Sequence, residues 1–261
     1  MNWRQLYVSL SSRSLLAAAM VGVAAPSFAA TIAVSADTWV REDNAGSNRN
    51  GDAFMNVRTA SAGSNDVVLL RFDLSTMGGP AAGVSLDLTW QRSDSTSTRT
   101  LSLWGINDAA ADDVAWDETA VTYTNAPGLN SDGLTIATEI TNGNTDLDIH
   151  DIDGSQVTSL IVNQAYGPQV EAATYSFTGA ALDAFLNADT NGIVTFLITR
   201  DTNTSGNQAR FMTKEAVTFA GGGAVPSGGA GARLTGIAAV PEPTTAVIAL
   251  AGFAALLRRR R

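Results

Sequence analysis

The 261-residue chain contains no cysteine and a single histidine, His150. Without thiols it has no disulfides, no thiol nucleophile and no cysteine-based zinc site. One histidine supplies no His pair for a zinc hydrolase, and a Ser-His-Asp triad would have to be built on His150. Charged residues make up 16% of the chain, below the usual share of roughly a quarter. Basic groups are the scarcer sign, 16 against 25 acidic, for a net charge of −9. Six of the basic groups (Arg4, Arg13 and Arg258 to Arg261) sit near the two ends, as does Glu242. The body between then carries 10 basic and 24 acidic groups, or −14. Binding a nucleic-acid backbone needs a basic face, so nucleic acid is excluded as a partner, and anionic lipid is a poor partner for the body. Carboxylate chemistry stays open, because a glycosidase needs only two acids.

What the ends do contain reads as two addresses. Residues 1–29 have Arg4 and Arg13 first, then an apolar run from Leu15 to Ala25, then Pro26 and the small-residue pattern Ser27-Phe28-Ala29. This is the layout of a secretory signal peptide, with cleavage expected after Ala29. At the other end, Pro241-Glu242-Pro243 precedes an apolar stretch from Thr244 to Leu257 and the cluster Arg258, Arg259, Arg260 and Arg261. As a helix that stretch is about 21 Å long, short of the roughly 30 Å hydrocarbon core, so it spans a membrane only marginally. The arginine flank orients the C-terminus to the cytoplasm. The order Pro-Glu-Pro, apolar helix, arginine cluster resembles the PEP-CTERM sorting signal of exported bacterial proteins. That resemblance implies processing by an exosortase at the inner membrane, transient membrane contact through the helix, and a final place on the cell surface or in extracellular matrix.

The body alternates. Val68, Leu70, Phe72 and Leu74 share one face, and Val67, Leu69, Arg71 and Asp73 the other. Leu86, Leu88 and Trp90 alternate with Ser85, Asp87 and Thr89, and Leu101 and Leu103 with Ser102 and Trp104. Such period-two patterns predict strands. Ile193 to Thr199 is almost continuously apolar, as a strand buried on both faces should be. Further strands are expected at Ile32–Arg41, Phe54–Arg58, Gly133–Ile140, Gln156–Val162, Ala172–Phe177, Ala209–Lys214 and Ala232–Ile237. Leu182, Phe185 and Leu186 follow helical spacing, predicting one short helix over Gly179–Ala188 that Thr178 caps. Many short strands with turn signals between them predict an all-β, antiparallel β-sandwich over residues 30–237, followed by the sorting segment at 238–261.

Several pieces of the body resemble the DNRLRE-domain family, which is related to a carbohydrate-binding module. They are Ala36-Asp37-Thr38-Trp39-Val40-Arg41, the Asn48–Asp52 turn, Leu69-Leu70-Arg71-Phe72-Asp73-Leu74, Trp116-Asp117-Glu118 followed by Val121-Thr122-Tyr123-Thr124-Asn125-Ala126-Pro127, and Thr213-Lys214-Glu215. The resemblance implies a jelly-roll-like sandwich without catalytic activity, of a kind often appended to polysaccharide-degrading enzymes or carried on surface proteins.

Binding candidates follow from residue chemistry. Flat apolar contact with a sugar ring favours tryptophan. Trp90 alternates with core leucines, and Trp116 reads as a loop pin. Trp39 and Trp104 remain as sugar platforms. Arg41, Arg58 and Arg71 are candidates for bidentate contact with an anionic sugar, or for pairing with acids such as Asp37 and Asp73. Asp146, Asp148, Asp151 and Asp153 offer the hard oxygens that suit a structural calcium, though not at EF-hand spacing, and equally describe a solvated strand edge. The reading that results is a non-catalytic exported surface or matrix protein associating with polysaccharide. Two alternatives remain: a secreted carboxylate-based glycosidase or lyase, and a structural or adhesion unit that binds protein partners.

Overall fold

The computed structural model describes residues 29–58, 65–93, 99–108, 110–129, 151–152, 155–156, 158–200, 208–225 and 230–238. The strand expected at 133–140 and the two address segments, apart from Ala29 and Ala238, lie outside them. Among the described residues no helix is long and apolar enough to cross a membrane.

The alternation in the middle of the chain becomes strand β4 (Asp66–Asp73). Both its side-chain rows are buried, in different places. Val68, Leu70 and Phe72 enter one core cluster, and Val67 and Leu69 enter another. Strand β4 pairs with β2 (Ala36–Arg41) on one side and β11 (Ile193–Arg200) on the other. β6 (Arg99–Ile106) and β9 (Thr158–Tyr166) complete a five-stranded sheet in the order β2-β4-β11-β6-β9. A second sheet runs β1 (Ala29–Ala33), β13 (Arg233–Ala238), β5 (Ser85–Thr89), β10 (Thr174–Thr178). A two-stranded ribbon, β3 (Phe54–Val57) with β12 (Ala209–Met212), and a short pair, β7 (Asp151–Ile152) with β8 (Ser155–Gln156), complete the list. Among the described residues every pairing is antiparallel, as the alternation predicts.

The main core lies between the sheets. Leu86, Leu88 and Phe177 from one meet Leu70, Phe72, Leu103 and Phe196 from the other. Trp90 is a core residue, stacked on Phe211 with ring centroids 4.3 Å apart. The second core covers the outer face of the five-stranded sheet. There Trp116, Val121, Tyr123, Ala126 and Leu129, from the irregular segment 110–129, pack on Val40, Leu69, Trp104 and Leu197. β11 is therefore buried on both faces, which explains its nearly unbroken apolar sequence.

Two expectations change. Ile32–Arg41 is not one strand. The Val34 N–H donates to Ala232 O in one sheet, and the next residue, Ser35, donates to Arg71 O in the other. The chain crosses between sheets at that step, and apolar alternation carries no mark of it because the even positions stay buried throughout, Ile32 and Val34 in the main core and Ala36 and Val40 in the second. The helix forms as expected, as α1 (Ala180–Ala188), but Thr178 does not cap it. Gly179 stands at the cap with φ 138° and no side-chain cap bond. The helix is docked by Asp183, whose carboxylate accepts the Gly83 and Val84 N–H groups, and by Asn187, which exchanges two bonds with the Ala81 backbone.

Helix α1 also fixes a glycine. A Cβ at Gly105, in β6, would overlap the Phe185 ring. Gly105→Ala should therefore lower stability by about 1–3 kcal/mol through overpacking. A thermal melt measures the loss, and adding Phe185→Leu should recover part of it. A Gly105→Ala melt that matches the wild type would show that Phe185 does not press on this strand.

Candidate functional site

The motif pieces read from the sequence meet in space. Asp37 enters from β2 and Glu118 from segment 110–129. Lys214 and Glu215 follow β12. Lys214 is the only lysine in the chain. Its ammonium donates to Glu118 Oε2 and lies 2.8 Å from Glu215 Oε1 and 3.5 Å from Asp37 Oδ1. The Lys214 N–H donates to Asp37 Oδ2 (2.8 Å), and the Asp37 N–H donates to Glu118 Oε2 (3.2 Å). Asn48 ties the neighbouring turn to this loop by donating to Glu118 O and Val121 O. Burial first, then the Glu215 charge, pushes the Asp37 pKa up to about 7. Burial opposes the Lys214 charge, but its bonds to Glu118 and Glu215 outweigh that and hold its pKa above the usual lysine range.

The three candidate arginines do not converge. Arg71 lies at one end of β2, opposite Ala36, and Arg41 at the other, opposite Asp66. Five residues of strand separate them, about 16 Å. Arg71 donates to Trp116 O and covers the Trp116 ring at 5.4 Å, so it belongs to the second core. Arg41 and Arg58 do meet. Their Nε atoms each lie 3.3 Å from a different oxygen of Asp66, whose side chain has no exposed surface. Burial raises the Asp66 pKa to about 6, against the pull of the Arg58 and Arg41 charges. The acid that joins these two arginines is thus Asp66, with Asp43 also 2.8 Å from Arg41 Nε, and not Asp37 or Asp73.

Neither tryptophan candidate offers an open face. Trp39 is 3% exposed, stacked near Phe54 (centroids 6.4 Å) and covered by Arg49 at 5.0 Å, with its indole N–H donating to Asp52. Trp104 does point away from Leu101 and Leu103, as alternation requires. There it meets the second core instead of solvent, 9% exposed and bonded to Thr199 Oγ1. A sugar ring needs a free aromatic face, and these two have none. Trp116 is a pin, donating to Thr195 Oγ1 at 3.1 Å. Of the proposed calcium ligands, Asp146, Asp148 and Asp153 lie outside the described residues, and only the backbone of Asp151 is described, in β7.

What sequence reading missed is the outer face of the β3–β12 ribbon. Met55, Val57 and Phe211 turn inward, fully buried, which leaves Phe54, Asn56, Arg58 and Arg210 on the other side. Arg210 lies 4.6 Å over the Phe54 ring and donates to Asn56 Oδ1 and Gln208 Oε1. Arg92 donates to Gln208 O close by. Burial, then the Arg92 charge, lowers the Arg210 pKa. Arg41, Arg49, Arg58, Arg92 and Arg210 are half of the body's 10 basic groups. Among the described residues no carboxylate pairs with Arg49, Arg92 or Arg210. No period or motif in the sequence announces this grouping, because its members come from five segments.

A cleft of about 350 Å³ opens beside α1, lined by Phe185, Ile106, Asp108, Asp113 and Asp189 among others. Its acids are engaged in shaping turns. Asp108 accepts from Thr190, Asp113 from Asn191 Nδ2 and Asp189 from the Gly192 N–H.

No curated protein matches the chain. The family model for carbohydrate-binding module family 96 matches residues 29–179, from β1 through β10 and including Asp37, Asp66, the Trp116–Glu118 block and four of the five grouped arginines, all but Arg210. That span is more than half of the sequence, and the chain belongs to carbohydrate-binding module family 96.

Proposed function

We propose that the protein is a non-catalytic, exported component of the cell surface or extracellular matrix whose sandwich holds acidic polysaccharide on the arginine face of the β3–β12 ribbon. The observation that carries this reading is the local charge. A body of net −14 gathers Arg41, Arg49, Arg58, Arg92 and Arg210 about the β3–β12 ribbon, with Glu42, Asp43, Asp52 and Asp66 as acids beside them. Guanidinium groups held over aromatic rings, as Arg49 is over Trp39 and Arg210 over Phe54, are pre-ordered for bidentate bonds to carboxylate or sulfate. A neutral sugar would want an uncovered ring, and Trp39 and Trp104 are covered.

Export and sorting by an exosortase, with inner-membrane passage before release to the surface, follow from the two address segments. The register of β1 with β13 supports that division of the chain. Ala29 pairs with Ala238, so the sandwich's first and last strands run side by side. Cleavage after Ala29 would leave β1 short by one residue, and the sorting motif begins just past β13.

Affinity electrophoresis of the purified full-length chain through gels holding acidic or neutral polysaccharides tests the binding claim. Retardation is expected with acidic polymers and should weaken as salt rises. Arg49→Ala or Arg210→Ala should weaken it about tenfold each, the loss of roughly 1.4 kcal/mol from a charged hydrogen bond. Retardation only by neutral polymers, or undiminished in the double variant, would move the site off this face.

A further inference from the structure

The Lys214 hub holds more negative charge than its one ammonium can balance. Asp37, Glu118 and Glu215 each point an oxygen to the same place, and the three oxygens lie within 4.8 Å of one another. Oxygens each about 2.4 Å from a shared calcium ion are at most about 4.8 Å apart. A second observation points the same way. The Asp37 side chain has no exposed surface, and its Oδ1 accepts no hydrogen bond. That oxygen faces the ammonium at 3.5 Å, too far for a bond to satisfy it. A buried carboxylate oxygen with no donor is costly, and a cation seated closer would remove the cost.

We propose that Asp37, Glu118 and Glu215 form a divalent-cation site suited to calcium, which takes the place of the Lys214 ammonium. The all-oxygen donor set fits a hard cation. Its partly open side, where Glu118 and Glu215 are 23% and 37% exposed, leaves room for the waters that fill six to eight calcium positions. Magnesium demands a stricter octahedron than three carboxylates from separate segments provide. Lys214 hangs on a flexible stem, 29% exposed, and can swing its ammonium into solvent. The ion would then join β2, segment 110–129 and the chain after β12, which Lys214 joins in its absence.

The single lysine makes the exchange measurable. The full-length chain is stripped with a chelator and titrated with calcium chloride while its unfolding midpoint is followed. Acylation of Lys214 by an amine-reactive probe is read in parallel by peptide mass spectrometry. We expect the midpoint to rise by roughly 5–10 °C at a calcium concentration about a hundredfold above Kd. Lys214 acylation should rise several-fold, magnesium should do less, and Glu215→Gln should abolish both responses. Lys214→Met should bind calcium more tightly, having lost the resident competitor, and should regain in calcium whatever stability it loses in chelator. The proposal fails if the midpoint does not respond, if it rises without exposing Lys214, if Glu215→Gln responds as the wild type does, or if calcium does not restabilise Lys214→Met.

Discussion

Replacing Trp116 by alanine should cost about 3–5 kcal/mol, the range for deleting a buried aromatic side chain. In a domain of this size that lowers the unfolding midpoint by roughly 6–20 °C. Trp116 is 7% exposed at the centre of the second core. Its removal would uncover apolar residues on the outer face of the five-stranded sheet. It would also leave the Thr195 hydroxyl without its indole partner in a residue that has no exposed surface, and Arg71 without the ring it covers. Trp116→Phe separates the contributions. It keeps most of the filling and loses the hydrogen bond, so about 1–2 kcal/mol should go. If segment 110–129 were an appended flap, Trp116→Ala would leave the midpoint of the sandwich unchanged and only speed proteolysis of the segment. That result would remove the second core from the account of the fold.

The second core also shows where sequence reading stops. Period two put Val67 to Leu70 and Phe72 of β4, and Leu101, Leu103 and Trp104 of β6, on the right faces. It could not tell that the second face is covered, because an irregular segment has no period of its own. Val67 and Leu69 on that face were the available signal, since an exposed face would carry polar side chains there. The motif residues Asp37, Glu118, Lys214 and Glu215 were visible as separate pieces, and only the fold brings them to one ammonium. Asp66 went unnoticed for a simpler reason. An aspartate at the start of an apolar strand looks like the end of a turn, and its burial depends on Arg41 and Arg58 arriving from elsewhere. The arginine face had the weakest trace, because Arg49, Arg92 and Arg210 gain meaning only from the register of β3 with β12.

The two buried aspartates give this protein a pH dependence opposite to that of most acidic domains. Burial raises Asp37 to about 7 and Asp66 to about 6, from 3.8. The folded chain therefore holds protons that the unfolded chain has released, between pH 3.8 and those values. Stability then falls as pH rises across that window, since it follows the difference in bound protons. The contribution is fully present below 3.8 and is lost as pH passes 6 for Asp66 and 7 for Asp37. Asp73, Asp87 and Asp117 are shifted the other way. Their contribution is present above 3.8 and is lost only as pH falls below it, so they do not oppose the trend near neutrality. The two buried groups together are worth on the order of a few kcal/mol. In chelator, the unfolding midpoint should rise by roughly 5 °C or more between pH 8 and pH 5. Asp37→Asn should remove the upper part of that slope and Asp66→Asn the lower part, because an amide carries no charge to desolvate. A wild-type midpoint that is flat or falls over the same interval would mean that the ammonium at Asp37 and the two guanidinium groups at Asp66 fully offset burial. The hub would then be a saturated ion network with no deficit of positive charge, which is the condition that separates a closed structural cluster from one able to take up a second cation.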